Sequence, residues 1–276
     1  MTSHHEKTTV MRLRLPNGDL AITHAKNVSV MGPHLDKVYQ SHRPVDLSVL
    51  QDLPQRLMMP KLDAPIMWME LKRAVRKLAN GKSSGLNDVP LDAFKRLDDV
   101  NLLTLFDFFN SYWNEEIDFS EWHEGQVVPD PKSGDLSNPN KWRGVTLMDL
   151  GSKIFSSILC TRLFLIIRKH GVKYQFGSTP RVRCQDGSFT IKPKFVMFAN
   201  LVKAVDTSNH KLMVEILGKY GCPPKIRSSI RWMYMDNKVR LIIGETDISI
   251  LFEVGVKQGD SVAPVIFLFI MMARKH

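Results

Sequence analysis

Apolar residues return every three or four positions along several stretches of the chain, and every second position along others. Over residues 152–170, Ile154, Phe155, Ile158, Leu159, Arg162, Leu163, Ile166 and Ile167 keep helical spacing, which predicts a helix. Arg168, Lys169 and His170 suit its negative end, and Gly171 caps it. A second helix is predicted over 66–80, with Met67, Leu71, Ala74, Val75 and Leu78 on one face and Gly81 as the stop. Residues 101–113 are apolar on nearly every side, which predicts a helix buried within a domain. Residues 210–220 and 225–235 read as amphipathic helices parted by Gly221 and Pro223-Pro224. Strands are predicted at 125–129, 194–199, 239–243 and 248–254, the last two joined through Gly244. Alternation on both sides of Asn17-Gly18 predicts a β-hairpin over 9–24. Residues 25–65 are punctuated by proline and read as an irregular lead-in with one short helix at 34–40. The apolar helix at 264–273 has no cap, so the chain end reads as a truncation. Mixed helices and strands indicate an α/β (α+β) fold.

With 276 residues, 43% of them hydrophobic, the chain can bury the core of one large domain or two small ones. Its longest apolar run, 262–273, falls short of the ~20 residues that cross a bilayer, so no membrane is expected. Residues 1–14 hold no apolar stretch that could act as a secretory signal. Cys160, Cys184 and Cys222 lie far apart with no CxxC spacing, which argues against a disulfide framework or a zinc site. An intracellular, reduced protein is the default. The net charge is +10, and residues 131–200 hold twelve basic residues against three acidic ones, a surplus of nine. Such a concentration fits a polyanion partner, or a solvated face that aids solubility. Lys153 and Arg162 could equally form the polar side of their own helix.

Four stretches, in this order, carry a resemblance to a known family. Residues 71–94 read LKRAVRKLANGKSSGLNDVPLDAF, with Ser84 where proline is usual. Residues 121–147, EWHEGQVVPDPKSGDLSNPNKWRGVTL, run on to GSKIFSSILCTRL at 151–163. Residues 195–210 read FVMFANLVKAVDTSNH, and residues 252–264 read FEVGVKQGDSVAP. Together these resemble the reverse transcriptase of non-LTR (LINE-type) retrotransposons. The resemblance implies right-hand polymerase fingers and a partial palm, incomplete at the C-terminus. It divides the chain into a lead-in at 1–65, a fingers-like region at 66–192 and a partial palm at 193–276.

The family is an RNA-directed DNA polymerase that works on an RNA template and a DNA primer. Its transition state gathers charge on phosphoryl oxygens, met by two Mg²⁺ ions about 4 Å apart that hard carboxylate ligands hold. In this chain Asn200 occupies the family's first catalytic Asp position, and no Asp pair follows Asp260. Asp98-Asp99 precedes the palm and cannot stand in, and Asp206 reads as turn or helix N-cap chemistry ahead of 210–220. No metal ligand set is therefore predicted, although the resemblance implies Mg²⁺ in the family. By resemblance Lys132, Arg143, Val205, Gln258 and Gly259 are nucleotide-binding positions, and Lys141, Arg181 and Arg183 lie along the nucleic-acid path. Val205 replaces the usual aromatic that excludes ribose, and the helix that relatives insert before the third stretch is reduced to Lys192-Pro193-Lys194. The reading is a catalytically inactive polymerase by descent. The alternatives are a module that binds RNA or DNA weakly and without sequence preference, or a non-functional remnant. The hairpin at 239–254 should deliver Gln258 beside the strand carrying Asn200, with Lys132 and Arg143 facing the same cleft.

Overall fold

A computed structural model describes residues 10–42, 44, 47–80, 85–87, 89–114, 120–171, 206 and 208–274. The candidate strand at 194–199, Arg181, Arg183, Asn200, Val205 and the stop at Gly81 lie outside the described residues.

Four strands form one sheet in the order β2-β1-β3-β4. They are β1 (Glu124–Pro131), β2 (Trp142–Leu147), β3 (Asn237–Ile243) and β4 (Thr246–Phe252). β1 pairs antiparallel with β2 and parallel with β3, while β3 and β4 make the antiparallel hairpin that the alternation predicts. The fingers-like and palm-like stretches therefore share one sheet. On one face, Val127, Val239, Leu241, Ile250 and Phe252 are buried. The opposite face carries Arg143, Asp130, Lys238, Arg240 and Asp247, which pair across strands as Arg143–Asp130 and Arg240–Asp247.

The apolar face of the sheet is covered by a helix that includes most of the short one predicted at 34–40 and extends it ten residues back into the stretch expected to be irregular. α1 (His24–Tyr39) has 16 residues, is capped by the Thr23 side chain and runs straight through Pro33. Val28, Met31, Leu35, Val38 and Tyr39 are buried along it, and this burial outweighs the lost hydrogen bond at proline. Gly32 is a contact point, since a Cβ there would stand 2.5 Å from Ile248 Cδ1. The predicted N-terminal hairpin shrinks to a single bridge, Arg14 with Leu20, around Gly18 at φ +90. The chain turns at once into α1, and Asn27 ties the two together by accepting from the Leu13 amide (3.0 Å) and donating to the Met11 carbonyl (3.1 Å).

The short helices α2 (Val49–Asp52) and α4 (Leu91–Lys95) connect the larger elements, which include α3 (Trp68–Lys77) and α5 (Asp99–Trp113). α6 (Leu150–His170) is the core helix, with Ile154, Phe155, Leu159, Leu163 and Ile166 fully buried. By length and composition α6 could cross a membrane, but most of its surface is buried inside the protein. α3 packs on it, and Phe109, Tyr112 and Trp122 surround Phe155 with ring centroids 4.9–6.2 Å apart. α5 is buried on that side only, contrary to the expectation of an all-round apolar environment. Its Val100 and Leu103 are 73% and 52% exposed. α7 (His210–Lys219), α8 (Pro224–Tyr234) and α9 (Ala263–Ala273) complete the helical layer, with Tyr220 against Phe269 at 5.6 Å.

Candidate functional site

The stretch after β4 is built as a tight turn lodged on the outer edge of β2. The Glu253 and Val254 amides both donate to the Tyr39 carbonyl (3.0 Å each), and the Gly255 amide donates to Ser208 O (2.7 Å). The Asp260 amide then closes on the Lys257 carbonyl (3.1 Å), which folds Gln258 and Gly259 outward. The Thr146 amide donates to the Gln258 carbonyl at 2.6 Å. Gly259 has φ +110, and a Cβ on it would stand 2.7 Å from the Thr146 carbonyl oxygen. Only glycine meets both demands. Two stretches that lie more than a hundred residues apart in sequence are thus joined backbone to backbone.

Beneath the turn lies a buried polar network. Asp260, 3% exposed, accepts from Tyr234 OH (2.6 Å), from the Ser156 hydroxyl and from the Val262 amide (3.1 Å). Lys257, 2% exposed, donates to Asn237 Oδ1 at 2.8 Å. Burial lowers its amine to about 8, against the opposing pull of Asp260. Burial, then the Asp260 charge and hydrogen bond, push the Tyr234 phenol well above its ordinary value. His210 Nε2 meets the Gly255 carbonyl at 2.8 Å, and burial lowers this imidazole to about 4, so it is neutral at pH 7. These groups fix the turn from below.

Asp206 sits in a turn, one of the two roles predicted for it, but it is not the helix cap. Asn209 caps α7, its side chain accepting from the Leu212 amide, while Asp206 Oδ1 accepts from Gln258 Nε2 at 2.7 Å. Gly255, at φ +91, lets this approach happen, since a Cβ there would meet the Asp206 carbonyl at 2.7 Å. The Gln258 side chain is therefore held by a carboxylate. Tyr39, which no motif singles out, reaches the same corner. Its ring lies 4.9 Å from Phe252, and its hydroxyl occupies the space that a Cβ on Gly144 would need. Burial and then the Asp206 charge raise its phenol.

Lys132, Lys141 and Arg143 gather at the other end of the β1–β2 hairpin. The Lys132 amide donates to the Lys141 carbonyl (2.7 Å), and Lys132 Nζ reaches Asn140 O at 3.5 Å. Arg143 donates to Asp130 at 2.5 Å, with both side chains about half exposed. Arg143 and Thr146 are three residues apart on one strand, so the Arg143 backbone stands roughly 10 Å from the Gln258 turn, with Lys132 and Lys141 farther along. The loop between them is braced by the lead-in, where the Arg14 amide donates to Ser137 O at 2.9 Å. Nothing short of the fold relates these partners.

Arg162 leaves the basic surface altogether. Its guanidinium bonds Glu70 at 2.7 and 2.9 Å and the carbonyls of Leu62, Ala64 and Pro65, and only 4% of the residue is exposed. Burial raises the Glu70 carboxyl, but the bonds and charge of Arg162 outweigh it and hold the group below its ordinary range. Among the described residues no group of three or more His, Cys, Asp or Glu side chains is arranged to hold a metal ion.

No protein-family model matches the chain. It is 26% identical over 157 residues to the Retrovirus-related Pol polyprotein from type-1 retrotransposable element R2 of Popillia japonica, covering 53% of this chain and 22% of that protein. The corresponding R2 protein of Nasonia vitripennis is 24% identical over 160 residues, covering 54% of this chain and 16% of that protein. The Transposon TX1 uncharacterized 149 kDa protein of Xenopus laevis is 25% identical over 215 residues, covering 72% and 16%. The chain's curated homologues are thus non-LTR retrotransposon proteins at low identity, and the match spans about a fifth or less of their length.

Proposed function

We propose that the chain is a reverse-transcriptase-related region of a non-LTR retrotransposon protein, with a fingers-like region at 66–192 and a partial palm at 193–276. It binds nucleic acid and does not polymerise. The observation that carries this reading is the junction of Thr146 with Gln258 and Gly259, because it unites the second and fourth family-like stretches in one place. Lys132 and Lys141 offer point charges to a phosphate, and Arg143 offers a planar fork. The Arg143–Asp130 pair is half exposed and worth only about 0–1 kcal/mol, so a phosphate displaces Asp130 at little cost.

The side chains around the turn do not suit Mg²⁺. Two ions need several carboxylate oxygens open to them. Asp260 is buried and accepts from Ser156, Tyr234 and Val262, while Asp206 accepts from the Gln258 amide. Asn200 adds no charge at the family's first Asp position, and residues 261–276 contain no carboxylate. Primer extension on an RNA template with Mg²⁺ or Mn²⁺ tests this. The expected result is no templated product, from the wild-type chain or from Asn200→Asp. Template-dependent incorporation that Arg143→Ala abolishes would overturn the reading.

A further inference from the structure

We infer that a second phosphate-binding site, serving the backbone of the same nucleic acid, lies between residues 55–58 and the turn at 218–222. It rests on the proposed nucleic-acid reading and deepens it. A cleft of about 210 Å³ opens there, with Gln55, Lys219, Gly221 and Arg227 among its walls. That is about seven times the ~30 Å³ share of one water in the liquid, room for a phosphate group and solvent. The strap that bounds it is pinned: Arg56 N donates to Lys219 O (2.8 Å), Met59 N to Gly221 O (3.0 Å), and Gln55 Nε2 to Gly218 O (3.0 Å).

Lys219 and Arg227 line the cleft itself, Arg56 lies on the strap that bounds it, and Lys169 and His170 stand behind Arg56. Lys169 and His170 come from the last turn of α6, Lys219 from the end of α7, and Arg227 from the first turn of α8. The Arg227 guanidinium lies close against Gly218, where a Cβ would stand 2.9 Å from Nη1. Arg56 and Lys169 both act electrostatically on His170. Among the described residues, none of Arg56, Lys169, Lys219 or Arg227 is in an ion pair, and Glu215 is the acid on the cleft wall. Among the described residues, Arg56 Nε, Arg227 Nε and His170 Nε2 are each shielded from solvent without a hydrogen-bond partner. Shielded polar nitrogens of this kind cost stability until a partner arrives, and grouped guanidiniums select phosphate oxygens. The site also lies apart from the Lys132 loop, since the 21 residues of α6 span about 30 Å between β2 and His170. A duplex must run some nine base pairs, at about 3.4 Å each, to touch both.

The test pairs two measurements on the wild-type chain and on Arg56→Ala with Arg227→Ala. One is the thermal shift caused by inorganic phosphate at matched ionic strength. The other is the salt dependence of binding to a 20-base-pair duplex by fluorescence anisotropy. Phosphate should raise the wild-type melting temperature and leave the variant unmoved, and the variant's log–log salt slope should be shallower by roughly two. If the alanines prevent folding, judged by circular dichroism, Arg56→Gln with Arg227→Gln must give the same two losses. A phosphate shift with an unchanged duplex slope would assign the site to free phosphate and overturn the backbone assignment. No phosphate shift together with an unchanged slope would overturn the site. Failure of the broader reading looks different: no duplex binding by the wild type at low salt, with the phosphate shift intact.

Discussion

Replacing Gly259 by alanine should loosen the joint between the β2 edge and the Gln258 turn. Two costs add at this position. A side chain at φ +110 leaves the region L residues favour, which costs about 1–3 kcal/mol. The new Cβ would also lie 2.7 Å from the Thr146 carbonyl, so the turn must move off β2 and strain or break the hydrogen bond from Thr146 N to Gln258 O, worth about 0.5–1.5 kcal/mol. The total is roughly 2–4 kcal/mol. Gly18→Ala supplies the control, because Gly18 has φ +90 with nothing within 4 Å of its absent Cβ. It should show the dihedral cost alone. Urea unfolding followed by far-UV circular dichroism gives both values, and amide hydrogen exchange at Thr146 reports the joint directly. Gly259→Ala should destabilise more than Gly18→Ala and speed Thr146 exchange selectively. Equal destabilisation of the two variants, with Thr146 exchange unchanged, would refute the close approach.

Arg162→Met should cost about 3–5 kcal/mol, because it strands the buried Glu70 carboxylate and three carbonyls. Adding Glu70→Leu should recover much of that stability, and chemical denaturation of the single and double variants checks it. The His210 imidazole is lowered to about 4 from 6.5, so below pH 6.5 the unfolded state takes up a proton that the folded state refuses. Its contribution is whole above pH 6.5 and drains away towards pH 4, by at most about 3 kcal/mol. His210→Asn should therefore lose less stability than wild type over that window, a difference in which the carboxylates common to both chains cancel. Parallel acid-titration curves would remove His210 from this role.

Where burial follows a simple period, the sequence is legible. α6, the β3–β4 hairpin, and the α7–α8 pair broken at Gly221 and Pro223-Pro224 all carry their cause in local spacing. α1 does not, because Pro33 looks like a breaker until the sheet buries the helix around it and β4 brings Ile248 against Gly32. The same holds at the site. Gln258 and Gly259 stand out through their motif, but the role of Gly259 depends on a strand edge more than a hundred residues earlier. Asp206 reads as a turn or cap residue because short range is all a sequence displays, yet its partner is Gln258. Arg162 keeps the spacing of the α6 stripe and also counts among the cations of 131–200, and only the fold, by bringing Glu70 to it, decides between the two. Tyr39 offers no signal at all, since its hydroxyl matters only through the gap left by Gly144.

The proposed function requires that the Lys132 loop, at the far end of the β1–β2 hairpin from the Gln258 turn, hold nucleic acid. Fluorescence anisotropy with labelled single-stranded RNA across a salt series tests it most directly. The wild-type chain should bind with a dissociation constant on the order of 10⁻⁴–10⁻⁶ M, weakening steeply as salt rises, with little preference among sequences. Lys132→Ala with Arg143→Ala should flatten the slope by about 0.7 for each phosphate of the single strand that the variant no longer neutralises. Binding that ignores salt, or no binding at low salt by a chain that unfolds cooperatively, would contradict the claim and leave these cations as solubilising charge.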